Sequence, residues 1–231
     1  MRKRNKRWLG VCMAAIVAGG SFAAGSSMGS YNCIQVQASQ ESDMQDVLDL
    51  YEDGEYKAAA SKAAQCPKKA EESCVSDMSK KMKQAYLKKV KKYNNFSQYL
   101  KNFGSGEAYI WNYYLTDFTG DGNAELLIKS GTCEADVCIT VYKYSNGKAK
   151  KIGKFYCGHT MLYVCQSGVL VANQYMNQES IDKYFLSNGK VKKETIGSRK
   201  VADGEKYLKL PYRLDDHTKK SGNVSYKALQ D

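Results

Sequence analysis

Between Ser42 and about Phe103 the apolar residues recur with the period of a helix. Met44, Val47, Leu48 and Tyr51 fall at i, i+3, i+4 and i+7 behind a polar Ser42-Asp43 start, which puts all four on one helical face. Asp53-Gly54 interrupts that helix. Residues 55–64 predict a second, Ala-rich helix that stops at Cys66-Pro67, because proline pushes the residue before it away from helical geometry. A third helix carries Val75, Met78, Met82, Ala85, Tyr86, Val90 and Tyr93 on one stripe. Lys80, Lys81, Lys83, Lys88, Lys89, Lys91 and Lys92 crowd the remainder of its surface with no carboxylate between them.

After Gly104-Ser105-Gly106 the period drops to two. Alternation predicts strands near 109–116, 124–130, 138–144, 149–156, 161–165, 169–175, 181–186 and 191–196. Two hairpins are near copies, turning at Asn146-Gly147 and Asn188-Gly189 with Asn146 and Asn188 standing 42 residues apart. Asn-Gly between alternating apolar residues marks a type I′ turn, whose two central residues both need positive φ. The spacing suits a four-stranded blade-like unit used twice. A propeller closes only with about 4 blades or more, so an open or sandwiched arrangement is expected, with helices over one exposed face or edge. The predicted class is α+β: a basic N-terminal helical segment (39–103), then an antiparallel β-domain of two propeller-blade-like four-stranded units (104–197). A polar, weakly patterned tail (198–231) completes the chain.

Residues 1–38 follow another logic. Arg2, Lys3, Arg4, Lys6 and Arg7 precede an apolar run from Trp8 to Val17 that dissolves into small residues, the layout of a secretory signal. A membrane span needs about 20 strongly apolar residues, and Gly19-Gly20-Ser21 interrupts this run too early. Cleavage after Gly25 competes with cleavage after Ala38. The second removes Cys12 and Cys33 and leaves Cys66, Cys74, Cys133, Cys138, Cys157 and Cys165, an even set able to pair outside the cell. The expectation is therefore a secreted or cell-surface protein with no stable membrane span.

Losing the signal also changes the charge. The formal +11 becomes +6, because 30 Lys and Arg then face 24 Asp and Glu. A nucleic-acid partner loses support accordingly, and the Lys stripe offers no interleaved aromatics on which bases stack. Its candidate roles are a solvated face or attraction to an anionic surface such as cell-envelope polymer or anionic lipid, and a protein partner is the other expectation for the chain. With 43% apolar residues and only 2 Pro, the chain can bury a core.

Candidate chemistry is concentrated between the first two predicted strands. In Asp117-Phe118-Thr119-Gly120-Asp121-Gly122-Asn123-Ala124-Glu125, oxygen-bearing side chains stand at positions 1, 3, 5 and 9, and glycines at 4 and 6 permit a tight turn. A hard cation needs several oxygens around one point. A complete EF-hand would place Glu at position 12, which here is Ile128. The loop instead resembles the short calcium loop of FG-GAP repeats, the integrin-type and bacterial blade repeats in which Asp-x-(Asp/Asn)-x-Asp-Gly-x-x-(Asp/Glu) joins two strands. That resemblance is tight over Asp117 to Ile128 and loose over about 104–197. It implies calcium, with side-chain ligands from Asp117, Thr119, Asp121 and Glu125 and a carbonyl ligand from Asn123. Thr119 departs from the usual Asp or Asn. As a whole the chain resembles secreted proteins of Gram-positive bacteria built from a helical lead and one such loop.

Six cysteines allow 15 connectivities. Local spacing suggests Cys66–Cys74, Cys133–Cys138 and Cys157–Cys165, with cross-pairing such as Cys133–Cys165 open. A zinc site is disfavoured by the absence of Cys-x-x-Cys and by only 2 His. Glu134, Asp136 and His159 all lie in loops between predicted strands and are the outside candidates for acid–base work. No Gly-x-Ser-x-Gly, phosphate loop or His-Glu-x-x-His accompanies them. The leading expectation is a secreted, calcium-binding, disulfide-stabilised interaction module without catalytic activity. The alternatives are a small secreted hydrolase of cell-wall or host polymers, and Lys-mediated adhesion to the anionic envelope.

Overall fold

The computed structural model describes residues 38–66, 78–101, 107–165, 167–214 and 229. The expected signal, Cys74 and the end of the tail lie outside them. Four helices come first: α1 (Ala38–Glu52), α2 (Tyr56–Gln65), α3 (Lys80–Val90) and α4 (Phe96–Lys101). Strands β1 (Tyr109–Thr116), β2 (Glu125–Gly131), β3 (Cys138–Ser145) and β4 (Lys148–Tyr156) form one antiparallel sheet in sequence order. The second sheet repeats the pattern with β5 (Thr160–Cys165), β6 (Gly168–Tyr175), β7 (Gln178–Ser187) and β8 (Lys190–Lys200). Asn146-Gly147 (φ 52 and 75) and Asn188-Gly189 (φ 51 and 71) make the β3–β4 and β7–β8 turns, both residues of each pair in the left-handed region.

Strand alternation explains the layering. On β2, Leu127 joins a core between the sheets with Phe118, Ile139, Leu162 and Val171, while Leu126 and Ile128 point into a second core beneath α3 with Met82, Tyr86 and Val90. On β6, Val169 and Val171 enter the inter-sheet core, whereas Leu170 and Ala172 meet Val47, Leu48, Tyr51 and Ala63 of α1 and α2. Both central strands are therefore covered on both faces, and the molecule is a helix–sheet–sheet–helix stack.

This corrects the expected α+β class with its separate N-terminal helical segment. The molecule is mostly β, its short helices are divided between the outer faces of the two sheets, and no closed propeller forms among the described residues. The reason lies in β2 and β6. Their continuous apolar runs, Leu126-Leu127-Ile128 and Val169-Leu170-Val171-Ala172, have two faces to bury, and the helices carry the apolar stripes that cover the outer ones. Among the described residues no helix is long and apolar enough to cross a membrane.

The boundary drawn at 197 also moves. Strand β8 continues to Lys200, and Val201, Leu208, Leu210 and Tyr212 are buried. Residues 212–214 run along the edge of β5: Val164 N donates to Tyr212 O at 3.0 Å and Leu214 N to Leu162 O at 2.8 Å. Part of a segment that reads as polar and weakly patterned thus closes an exposed sheet edge. Its anchor is Glu179, buried on β7, which accepts from Arg199 Nε (2.7 Å), Gln174 Nε2 (3.0 Å) and Leu208 N (2.6 Å).

Candidate functional site

The loop between β1 and β2 is pinned by Phe118, fully buried and stacked on Phe155 with ring centroids 6.4 Å apart. Gly120 (φ +73) and Gly122 (φ +82) adopt the left-handed conformation that glycine takes at no steric cost. Gly120 also lies against Ser167 in the β5–β6 turn, where a Cβ would collide. Asp117 folds the loop over itself: Oδ1 accepts from Gly120 N (2.7 Å) and Asp121 N (3.1 Å), and Oδ2 accepts from Gly122 N (2.7 Å). Asn123 N and Nδ2 donate to Asp121 Oδ1 at 3.0 and 3.2 Å, so the Asp121 side chain makes an Asx turn.

Three of the five expected ligand residues meet a group the sequence reading did not include. Lys143 Nζ donates to Thr119 Oγ1 at 3.1 Å, is bonded to Asp121 Oδ2, and stands 3.6 Å from Glu125 Oε1. Glu125 itself is 1% exposed and accepts from Thr119 N (3.0 Å) and Thr119 Oγ1 (3.3 Å). Burial raises the Glu125 carboxyl to about 7, against the opposing pull of the Lys143 charge. Asp121 moves the other way: burial would raise it, but the bonds from Lys143 and Asn123 hold it below the ordinary carboxylate range. Lys143, itself opposed by burial, is raised by Asp121 and Glu125.

Lys143 was legible only through strand register. The β2–β3 pairing sets Leu126 opposite Tyr142, which places Glu125 and Lys143 across from one another at the mouth of the loop. Nothing local to Ile139-Thr140-Val141-Tyr142-Lys143 singles the lysine out. Among the described residues no cluster of three or more His, Cys, Asp or Glu has metal-holding geometry. The donor set still suits a hard cation, because the oxygens of Thr119, Asp121 and Glu125 already converge on one positive charge.

The other expected groups are dispersed. Asp136 caps its own turn, accepting from Thr132 N (2.8 Å), Thr132 Oγ1 (2.6 Å) and Cys133 N (3.0 Å). His159 Nδ1 approaches Glu134 Oε1 at 3.9 Å, and its ring stacks on Tyr175 at 5.3 Å. Both side chains are well exposed, 40% and 56%, so this end is solvated and Asp136 is turned away from the pair. No two described cysteines are joined by a disulfide. Cys66 Sγ donates to Lys62 O (3.4 Å) and Cys138 Sγ to Asp136 O (3.6 Å), while Cys157 and Cys165 pack into different cores. Of the basic helix, Lys80, Lys81, Lys88, Lys91 and Lys92 are exposed, Lys83 is half-buried, and Lys89 lies 5.4 Å from the Tyr142 ring centroid.

No protein-family model matches the chain, and no match emerges among curated proteins or among solved structures.

Proposed function

We propose that the protein is a secreted, non-enzymatic binding module whose 117–125 loop takes up calcium in exchange for the Lys143 ammonium. The observation that carries this reading is the convergence of Thr119, Asp121 and Glu125 on a single cationic group. Such a site wants a positive charge whether or not metal is present, because Glu125 is buried and Asp121 lies close to it. Lys143 supplies that charge from a flexible stem that is 30% exposed, so the head can withdraw to water. Calcium, when bound, would tie β1 to β2 through oxygen ligands. The competing lysine and the Thr at 119 argue for weak binding, within the roughly 10⁻⁴–10⁻³ M range of extracellular modules.

Calorimetric titration with calcium tests the proposal. The full chain is expected to bind one ion in that range and Asp121→Ala none. Absence of binding by the full chain at about 10 mM calcium, well above the range for such modules, contradicts it.

A further inference from the structure

The fold enlarges the basic stripe of α3 into a composite surface. Strand β4 packs against α3, and its Ala149 is buried beneath that helix. Of the exposed lysines of β4, Lys151 and Lys154 share the face of Ala149, opposite Tyr142 and Thr140 of β3, whereas Lys148 and Lys150 alternate to the other side. Residues 79–92 and 148–156 contain 11 Lys and no Asp, Glu or Arg. The exposed acidic cluster Asp46, Asp49, Glu52 and Asp53 belongs to α1 and its turn, which cover the other sheet, while Asp121 and Glu125 lie in the β1–β2 loop, engaged by Lys143.

We infer that the joined α3–β4 face binds a flexible, linear polyphosphodiester that carries no bases, the chemistry of an anionic cell-envelope polymer. The inference rests on the reading as a binding module but not on the calcium loop. Length comes first. Eleven helical residues span about 16 Å at about 1.5 Å each, and Lys151 and Lys154 add about 10 Å along β4 at about 3.3 Å per residue, so the charges form a track rather than a pocket.

Residue type comes second. Lysine is a point charge without the planar fork that selects bidentate partners, which suits single negative charges repeated along a mobile chain. The third argument concerns apolar contact. The large apolar side chains exposed among the described residues are Leu100, Tyr156, Tyr175 and Met176. Only Tyr156 belongs to these elements, at the end of β4 with its hydroxyl donating to Ala135 O at 2.7 Å. The face therefore offers nothing to insert into a bilayer and no platform for stacked bases. A shallow depression lined by Gln84, Leu87, Lys88, Lys91 and Lys92 lies at the helical end of the track.

The test is binding of the full chain to poly(glycerol phosphate), run in chelator so that it reads this face alone; failure of the calcium reading shows separately in the calcium titration. With roughly five phosphate contacts, counterion release predicts affinity falling about 100-fold between 50 and 200 mM salt. The variants Lys88→Glu/Lys91→Glu/Lys92→Glu and Lys151→Glu/Lys154→Glu are each expected to weaken binding at least about tenfold. Lys57→Glu, at an exposed position of α2, should leave it unchanged, with melting temperature reporting that each variant folds. Loss in the helix variant alone would overturn the composite surface. Equal or tighter binding of duplex DNA, or of phosphatidylglycerol vesicles, at the same salt would overturn the assignment of the partner, as would affinity indifferent to salt.

Discussion

Lys143 and Glu125 form the pairing on which the loop depends. An ammonium about 4 Å from a carboxylate is worth roughly 4 kcal/mol at an effective dielectric of about 20, and the exposure of the lysine reduces that figure. Replacing it as Lys143→Met should therefore cost about 1–3 kcal/mol in chelator, because buried Glu125 loses its countercharge. The same change should raise calcium affinity roughly tenfold by removing the competing charge. Asp136 gives a separate handle on pH. Burial opposes its ionisation, but the donors at Cys133 and Thr132 outweigh it and hold the carboxyl below its ordinary 3.8. A depressed carboxyl contributes stability above its unfolded value and loses it as pH falls through the folded one. The difference in melting temperature between the natural chain and Asp136→Asn should thus be constant at neutral pH and shrink below about pH 4.

At the scale of elements, α3 is joined to the first sheet by Tyr86. Its hydroxyl donates to Ala124 O (2.9 Å) and accepts from Tyr144 N (3.0 Å) in a fully buried setting. Tyr86→Phe keeps the ring but leaves both backbone groups unsatisfied, so chemical denaturation should show a loss of about 1–3 kcal/mol. The strands themselves were legible from alternation, because Asn-Gly turns and apolar periodicity are local signals. The layering was written less plainly. The continuous apolar runs Leu126-Leu127-Ile128 and Val169-Leu170-Val171-Ala172 are the mark of strands buried on both faces, and they imply cover from outside. Which helix covers which sheet depends on long-range packing that periodicity does not carry. The same limit hid the tail, whose few apolar residues Leu208, Leu210 and Tyr212 look sparse until the core shared by β5 and α1 receives them.

Across the whole molecule, two buried networks hold the stack together at opposite ends. The Glu179–Arg199 pair, 0% and 9% exposed, joins β7, β8 and the returning tail, with the guanidinium 4.4 Å from the Tyr56 ring centroid on α2. Glu179→Ala removes the buried carboxylate and leaves that guanidinium only the exposed Glu205 carboxylate, 3.2 Å from its Nη1, at an expected cost of about 3 kcal/mol. Proteolysis should then cut earlier within 203–214 than elsewhere, because the bond to Leu208 N is lost with it. The loop at the other end ties β1, β2 and β3 through one positive charge, and the account stands on whether calcium can take that charge's place.

Thermal unfolding of the full chain in about 10 mM calcium and in chelator, beside Lys143→Met, measures this most directly. A dissociation constant of roughly 10⁻⁴–10⁻³ M predicts stabilisation by about 1.4–2.7 kcal/mol. That corresponds to a rise of about 3–10 °C for a chain of this size, with a larger rise in the variant. Identical melting of the natural chain in both buffers would contradict the account, and a response confined to Lys143→Met would make the lysine the loop's permanent cation.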